Sequence, residues 1–122
     1  QLVVGIDSRR ADVYLQVFNS DGRPASEPAA ILPEAVSRFV GTCGELVGPV
    51  SVAGDAASLL EECLKAGGAA VTAIDARYPD AAVLARLAAG RWVPGDPIER
   101  PAPLYLRPPD AVMPLDGGRL RP

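Results

Sequence analysis

Histidine is absent from this 122-residue chain, and aromatic residues make up only 5% of it. Without histidine, neither a Ser-His-Asp nor a Cys-His mechanism can operate, and a catalytic metal held by imidazole ligands is excluded. The scarcity of aromatic rings makes aromatic-stacking chemistry unexpected, and the core must be built from aliphatic side chains. The single lysine, Lys65, falls late in a predicted helix, so it is not a candidate nucleophile.

Long apolar runs and excess positive charge are missing as well. No run approaches the roughly 18 residues needed to cross a bilayer, and the N-terminus lacks the order of a signal peptide. The formal net charge of -3 offers no counterion-release term for nucleic-acid binding. These features predict a soluble, cytoplasmic protein without membrane association and without direct nucleic-acid binding.

The two cysteines, Cys43 and Cys63, fall on the apolar faces of two predicted helices. We interpret them as reduced, buried thiols, with a disulfide as the alternative. A zinc site would need further soft or imidazole ligands that the chain does not offer. We therefore expect no cofactor in this chain.

The remaining pattern predicts one α/β domain over residues 1–93. Strands are expected at 2–6, 12–18, 29–32, 49–53 and 69–74, and helices at 33–44, 55–67 and 79–90. The last helix is expected to face inward through four residues: Val83, Leu84, Leu87 and Ala88. The order βββαβαβα predicts a mixed sheet of about five strands, antiparallel in its first half and parallel in its second. This is the ribonuclease-H-like arrangement, which nucleases share with the lobes of actin-like proteins.

Residues 94–122 form a proline-rich tail, in which proline removes amide donors and favours an extended backbone. Only residues 104–106 are predicted to form an element, either a short edge strand or a strip packed on the body. The chain begins at Gln1 and enters an apolar run at once, so we expect a preceding segment to be missing.

Two short motifs could carry chemistry. Asp7 ends the first predicted strand and is followed by Arg9 and Arg10; with Asp55 and Asp75 it could hold a divalent metal, as in a nuclease. The alternative, which we favour, is that the arginines neutralise Asp7 or that Asp7 caps a turn.

At the second motif, Gly54 and Asp55 form a strand-to-helix turn that could offer its amides to a phosphate. We favour helix capping by the Asp55 carboxylate, because its charge would occupy the place of the phosphate.

Three segments together resemble the TsaB (YeaZ) family, which belongs to the glycoprotease-like superfamily and takes part in threonylcarbamoyladenosine modification of tRNA. Residues 6–14 (Ile-Asp-Ser-Arg-Arg-Ala-Asp-Val-Tyr) are similar to the Asp-Ala-Arg and Glu-Val-Tyr stretch that opens the family's C-terminal lobe, with Ser8 and Asp12 as departures. The Gly54–Asp55 turn matches in order. Residues 103–107 (Pro-Leu-Tyr-Leu-Arg) are similar to the family's terminal signature, which is the most specific of the three.

The resemblance implies a non-catalytic scaffold: the C-terminal lobe of a two-lobed actin-like protein whose N-terminal lobe is absent from this chain. The implied partners are a TsaD-like subunit, which carries metal-binding histidines, and a TsaE-like ATPase. An apolar surface left by the missing lobe would favour self-association. The candidate binding residues are Asp7, Arg9, Arg10, Gly54, Asp55, Tyr105 and Arg107. The alternative function is a metal-dependent, ribonuclease-H-like or resolvase-like nuclease that uses Asp7, Asp55 and Asp75.

Overall fold

A computed structural model describes residues 1–44, 48–95 and 100–107. Within these residues the chain is an α/β structure with one mixed five-stranded sheet and three helices. The strands are β1 (Leu2–Asp7), β2 (Val13–Phe18), β3 (Ala29–Ile31), β4 (Val50–Ala53) and β5 (Val71–Ala73). The helices are α1 (Val36–Thr42), α2 (Ala57–Ala66) and α3 (Ala81–Arg91), and a 3₁₀ turn at Pro33–Ala35 leads into α1. The predicted order of elements is confirmed.

The sheet has the strand order β3-β2-β1-β4-β5. β1 pairs with β2, and β2 with β3, in antiparallel register. β1 pairs with β4, and β4 with β5, in parallel register. The prediction of an antiparallel first half and a parallel second half is therefore confirmed, and β1 lies at the centre, between the two halves.

Alternation along the strands separates two faces of the sheet. Val13, Leu15 and Val17 are buried on the inner face, whereas Tyr14, Gln16 and Phe18 point to the opposite, outer face and are half-buried. The inner face forms one apolar cluster with α1 and α2, to which the helices contribute Val36, Val40, Leu60 and Leu64. The predicted stripe on α2 is confirmed at its centre, while Leu59 stands at its exposed margin.

Helix α3 departs from the prediction. Val83, Leu84 and Leu87 are 44%, 63% and 54% exposed, Ala88 is exposed too, and no residue of α3 is buried against the described part of the chain. The expectation that these four residues face inward is wrong. Helical spacing indicates only that an apolar stripe exists, and the inner face of the sheet is already covered by α1 and α2.

The N-terminus of α3 is closed by a side chain that helix-start signals did not single out. Asp80 Oδ1 accepts hydrogen bonds from the backbone amides of Ala82 (2.7 Å) and Val83 (3.2 Å).

We expect Asp80→Ala to reduce the local stability of α3 by about 1 kcal/mol, because both amides lose their acceptor. Hydrogen exchange of the first-turn amides should accelerate, while global unfolding stays nearly unchanged, since no residue of α3 is buried against the described part of the chain. Asp80→Ser keeps a capping oxygen and should exchange almost as the wild type does; equal acceleration in both variants would contradict the capping role.

Candidate functional site: the carboxylate edge of the sheet

The carboxyl ends of β1 and β4 meet at one edge of the sheet, as parallel neighbours must. The Asp7 amide donates to Asp55 Oδ1 at 2.8 Å, and the Ala56 amide donates to the Gly5 carbonyl at 3.3 Å. Two predicted site motifs, separated by almost fifty residues, are therefore joined by direct hydrogen bonds. We call this region the carboxylate edge: residues 5–7, 54–56 and the connection after β5.

Gly54 is required at this edge for two reasons. Its backbone has φ +100°, a conformation that L side chains rarely adopt, and a Cβ placed there would overlap the carbonyl oxygen of Gly5. The Gly54 amide also donates to the Ala76 carbonyl at 2.9 Å, which ties the turn to the segment that follows β5. The glycine thus allows three strand ends to approach one another.

The predicted role of Asp55 as the N-cap of α2 is wrong. The capping position is occupied by Ala56, which has no side-chain cap hydrogen bond, and α2 begins at Ala57. Asp55 instead points its carboxylate toward β1, where its Oδ1 accepts a hydrogen bond from the exposed amide of Asp7. A sequence rule for helix starts considers only amides near in the chain, and the competing donor here is distant in sequence.

Asp7 is engaged by its own neighbours. Its Oδ1 accepts from the Arg9 amide at 2.7 Å, closing a turn, and its Oδ2 lies 3.3 Å from an Arg9 guanidinium nitrogen. Arg9 takes a left-handed backbone conformation with φ 59°. The favoured interpretation, a structural ion pair that also caps a turn, is confirmed for Arg9; both side chains are exposed, so the pair contributes little to stability.

The third carboxylate of the nuclease hypothesis lies in a neighbouring cleft. Asp75 and Asp55 line a cleft of about 370 Å³ together with Arg77, and Asp7 and Asp55 line an adjoining cleft of about 340 Å³ together with Arg10 and Arg77. Both clefts are therefore lined by arginine as well as by carboxylates. Within residues 1–44, 48–95 and 100–107, no three acidic or cysteine residues are arranged to hold a metal ion.

A buried acidic residue, Asp12, lies beside this edge, although it is not among the candidate site residues predicted from the sequence. Asp12 is only 7% exposed, and its Oδ2 forms an ion pair with the guanidinium of Arg107, from the far end of the described chain. Ser8 Oγ lies 2.7 Å from Asp12 Oδ1 and 2.6 Å from the Asp12 carbonyl oxygen, so its hydroxyl donates to this residue. The Arg10 amide in turn donates to Ser8 Oγ at 3.2 Å.

The pKa of Asp12 lies below its ordinary value. The largest cause is the hydrogen bond from Ser8, and the next is the hydrogen bond from Arg107. A lowered folded-state pKa means that these contacts stabilise the fold fully above about pH 4 and are lost as the pH falls through the folded pKa. We expect acidification from pH 6 to pH 3 to destabilise the wild type more than Asp12→Asn, with the difference arising below about pH 4. Urea unfolding at a series of pH values measures this; parallel curves for the two proteins would contradict it.

Arg107 belongs to a segment that lies beside the outer face of the sheet. Residues 104–107 and the outer-face residues of β1 and β2 line an apolar groove of about 620 Å³. Its sheet side consists mainly of Val4, Ile6, Tyr14 and Phe18. Residues 104–106 form no strand; Leu106 is half-buried, while Leu104 and Tyr105 are 70% and 80% exposed. The rest of the proline-rich tail, residues 108–122, and residues 96–99 lie outside the described residues.

The cysteines form no disulfide, as the thiol interpretation predicted, but they are half-buried where full burial was expected, and each packs against the core cluster. Burial, helped by the neighbouring charge of Glu62, raises the pKa of the Cys63 thiol, which keeps it protonated near neutral pH. The Cys43 thiol donates to the Phe39 carbonyl at 3.3 Å. These contacts suit packing roles.

Comparison with protein-family models and with curated proteins gives no match. None of the helices in the described part of the chain is long and apolar enough to span a membrane.

Proposed function

We propose that this chain is the C-terminal lobe of a TsaB-like scaffold subunit, which acts without its own chemistry in the complex that makes threonylcarbamoyladenosine in tRNA. The observation that carries the proposal is the contact between Asp12 and Arg107. These residues belong to the first and third segments of the family resemblance, and the structure brings the two segments together although ninety-five positions separate them. Segments that define one family signature are expected to meet in space when they serve one structural purpose.

The sheet order supports the same proposal. An antiparallel β3-β2-β1 half joined to a parallel β1-β4-β5 half, with α1 and α2 on one face, is compatible with a ribonuclease-H-like, actin-like lobe. Fold likeness alone does not assign function, because nucleases share it. The two signature segments therefore carry the proposal, and the fold is compatible with it.

The two departures from the family pattern also fit together. Ser8 stands where the family has alanine, and Asp12 where it has glutamate, and their side chains are hydrogen-bonded at 2.7 Å. A shorter acidic side chain with a neighbouring hydroxyl keeps a buried carboxylate satisfied. The two changes thus form one local unit that still receives Arg107.

Exposed apolar surface is what a scaffold lobe would use to meet its partners. Leu84 on α3, Trp92 just after it and Tyr105 beyond it are 63%, 64% and 80% exposed. Tryptophan and tyrosine in particular are enriched among the anchors of protein interfaces. The proposed partners are a TsaD-like subunit, which would supply the metal site, and a TsaE-like ATPase.

The test is reconstitution of the modification. The complete protein that carries this chain would be combined with TsaD-like and TsaE-like subunits and unmodified tRNA, and threonylcarbamoyladenosine would be quantified by mass spectrometry of the digested tRNA. We expect product only when the protein is present, and co-purification with the TsaD-like subunit. Asp7→Asn should retain this activity, because Asp7 serves a local turn. Metal-dependent cleavage of nucleic acid by the protein, lost in Asp7→Asn, would overturn the proposal in favour of the nuclease alternative.

A further inference from the structure

The segment 100–107, here called the strap, contains no helix or strand, and its residues 104–107 line a groove together with outer-face residues of β1 and β2. Two of its apolar side chains are poorly buried, since Leu104 is 70% and Tyr105 is 80% exposed, whereas Leu106 is half-buried. Apolar burial is proportional to the area removed from water, so these residues hold the strap only weakly. The groove beneath the strap remains open at about 620 Å³.

The end of the strap is held quite differently. The Arg107 side chain is 32% exposed and meets an Asp12 carboxylate that is only 5% exposed. A charge-assisted hydrogen bond to a sheltered carboxylate is stronger than one between exposed groups, and it requires the guanidinium to stay in place. Ser8 fixes the carboxylate from the other side through its hydroxyl. The acceptor is thus held by Ser8 in the turn between β1 and β2, and the donor is carried by the strap.

We propose that Asp12 and Arg107 form a latch that holds the strap over the outer face of β1 and β2, and that release of the latch uncovers this face. The latch has two states: in the closed state the strap lines the groove, and in the open state the half-buried side chains of Val4, Tyr14 and Phe18 face solvent. This inference concerns the chain itself and does not depend on the TsaB-like assignment.

Limited proteolysis measures the opening, because a protease needs a detached, extended segment. Chymotrypsin would be used to cut the Tyr105–Leu106 bond, with the product identified by mass. In Asp12→Asn and in Arg107→Met we expect cleavage to be faster by on the order of tenfold, as loss of a hydrogen bond to a charged group implies. Because Asp12 is buried, Arg107→Met, which leaves the buried residue in place, keeps the test available should Asp12→Asn fail to fold.

Matched controls separate the latch from general destabilisation. Asp21→Asn breaks the exposed ion pair with Arg23, whose charged atoms are 3.5 Å apart, and should leave cleavage at the wild-type rate. The double variant Asp12→Asn/Arg107→Met should be cleaved no faster than the faster single variant, since the contact between the two side chains is already lost in each single variant. Rates that multiply in the double variant, or unchanged rates in Arg107→Met, would overturn the latch.

A second measurement addresses the face that is uncovered. Methyl NMR signals of Val4 and Ile6, on the outer face, should shift in Arg107→Met, while those of Val3, which is fully buried on the inner face, should not. Shifts of equal size on both faces would indicate altered packing of the whole domain and would overturn the latch. Neither measurement involves a partner subunit, so failure here is distinguishable from failure of the proposed function.

Discussion

Gly54→Ala is expected to destabilise the fold by about 4 kcal/mol, through backbone strain combined with steric overlap. The residue has φ +100°, and an added methyl group would overlap the Gly5 carbonyl oxygen and stand 2.9 Å from its carbon. Neither neighbour is a flexible side-chain end, so the ends of β1 and β4 must separate. That separation also removes the hydrogen bond between the Asp7 amide and Asp55.

Urea unfolding followed by circular dichroism measures this loss. Gly22→Ala is a matched control for the backbone, because Gly22 has φ +78° with no atom within 4 Å of an added Cβ, and it should lose only about 1 kcal/mol. Gly41→Ala lies in α1 with open space around it and should gain about 0.5–1 kcal/mol. If Gly54→Ala and Gly22→Ala lose similar amounts, the close approach of β1 and β4 is not the source of the effect.

The elements themselves were predictable because their signals are local. Alternation in β2, with Val13, Leu15 and Val17 on one face, states which face is buried before any partner is known. Tight turns demand antiparallel pairing and helical crossovers demand parallel pairing, so both halves of the sheet follow from the element order. The meeting of Asp7 and Asp55 at one edge follows in turn, since parallel strands end at the same side.

What the side chains do at that edge was not predictable from neighbours in sequence. Proximity in sequence predicts that the Asp55 carboxylate caps the nearest free amides, those of α2, yet it accepts from the Asp7 amide on β1. The pairing of Asp12 with Arg107 has no local signal at all, because opposite charges ninety-five residues apart have many alternative partners. The predicted burial of α3 is wrong for a related reason: an apolar stripe does not identify the surface that would cover it.

Substitutions at Gly5 and Leu60 should have strongly coupled effects on the free energy of unfolding. Leu60 is fully buried on α2, and the Cβ of an alanine at position 5 would stand 2.5 Å from Leu60 Cδ1 and 3.1 Å from its Cγ. Leu60→Ala alone should lose about 3 kcal/mol by removing buried methyl groups and leaving a cavity. Leu59→Ala, on the next residue of the same helix and at the exposed margin, should lose less than about 1 kcal/mol.

Gly5→Ala alone should lose about 2 kcal/mol, because the new methyl group overpacks a filled core and pushes Leu60 from its position. In the double variant the atoms that clash are gone, and the new methyl group enters the space that Leu60 has left. The Ala56 Cβ at 3.3 Å is then the nearest remaining neighbour, and a small shift accommodates it. The double variant should therefore be more stable than the sum of the two losses by about 2 kcal/mol, measured as a double-mutant cycle of urea unfolding free energies. Additive losses would mean that α2 does not pack on β1 at this point, and the register by which the helix covers the sheet would have to be revised.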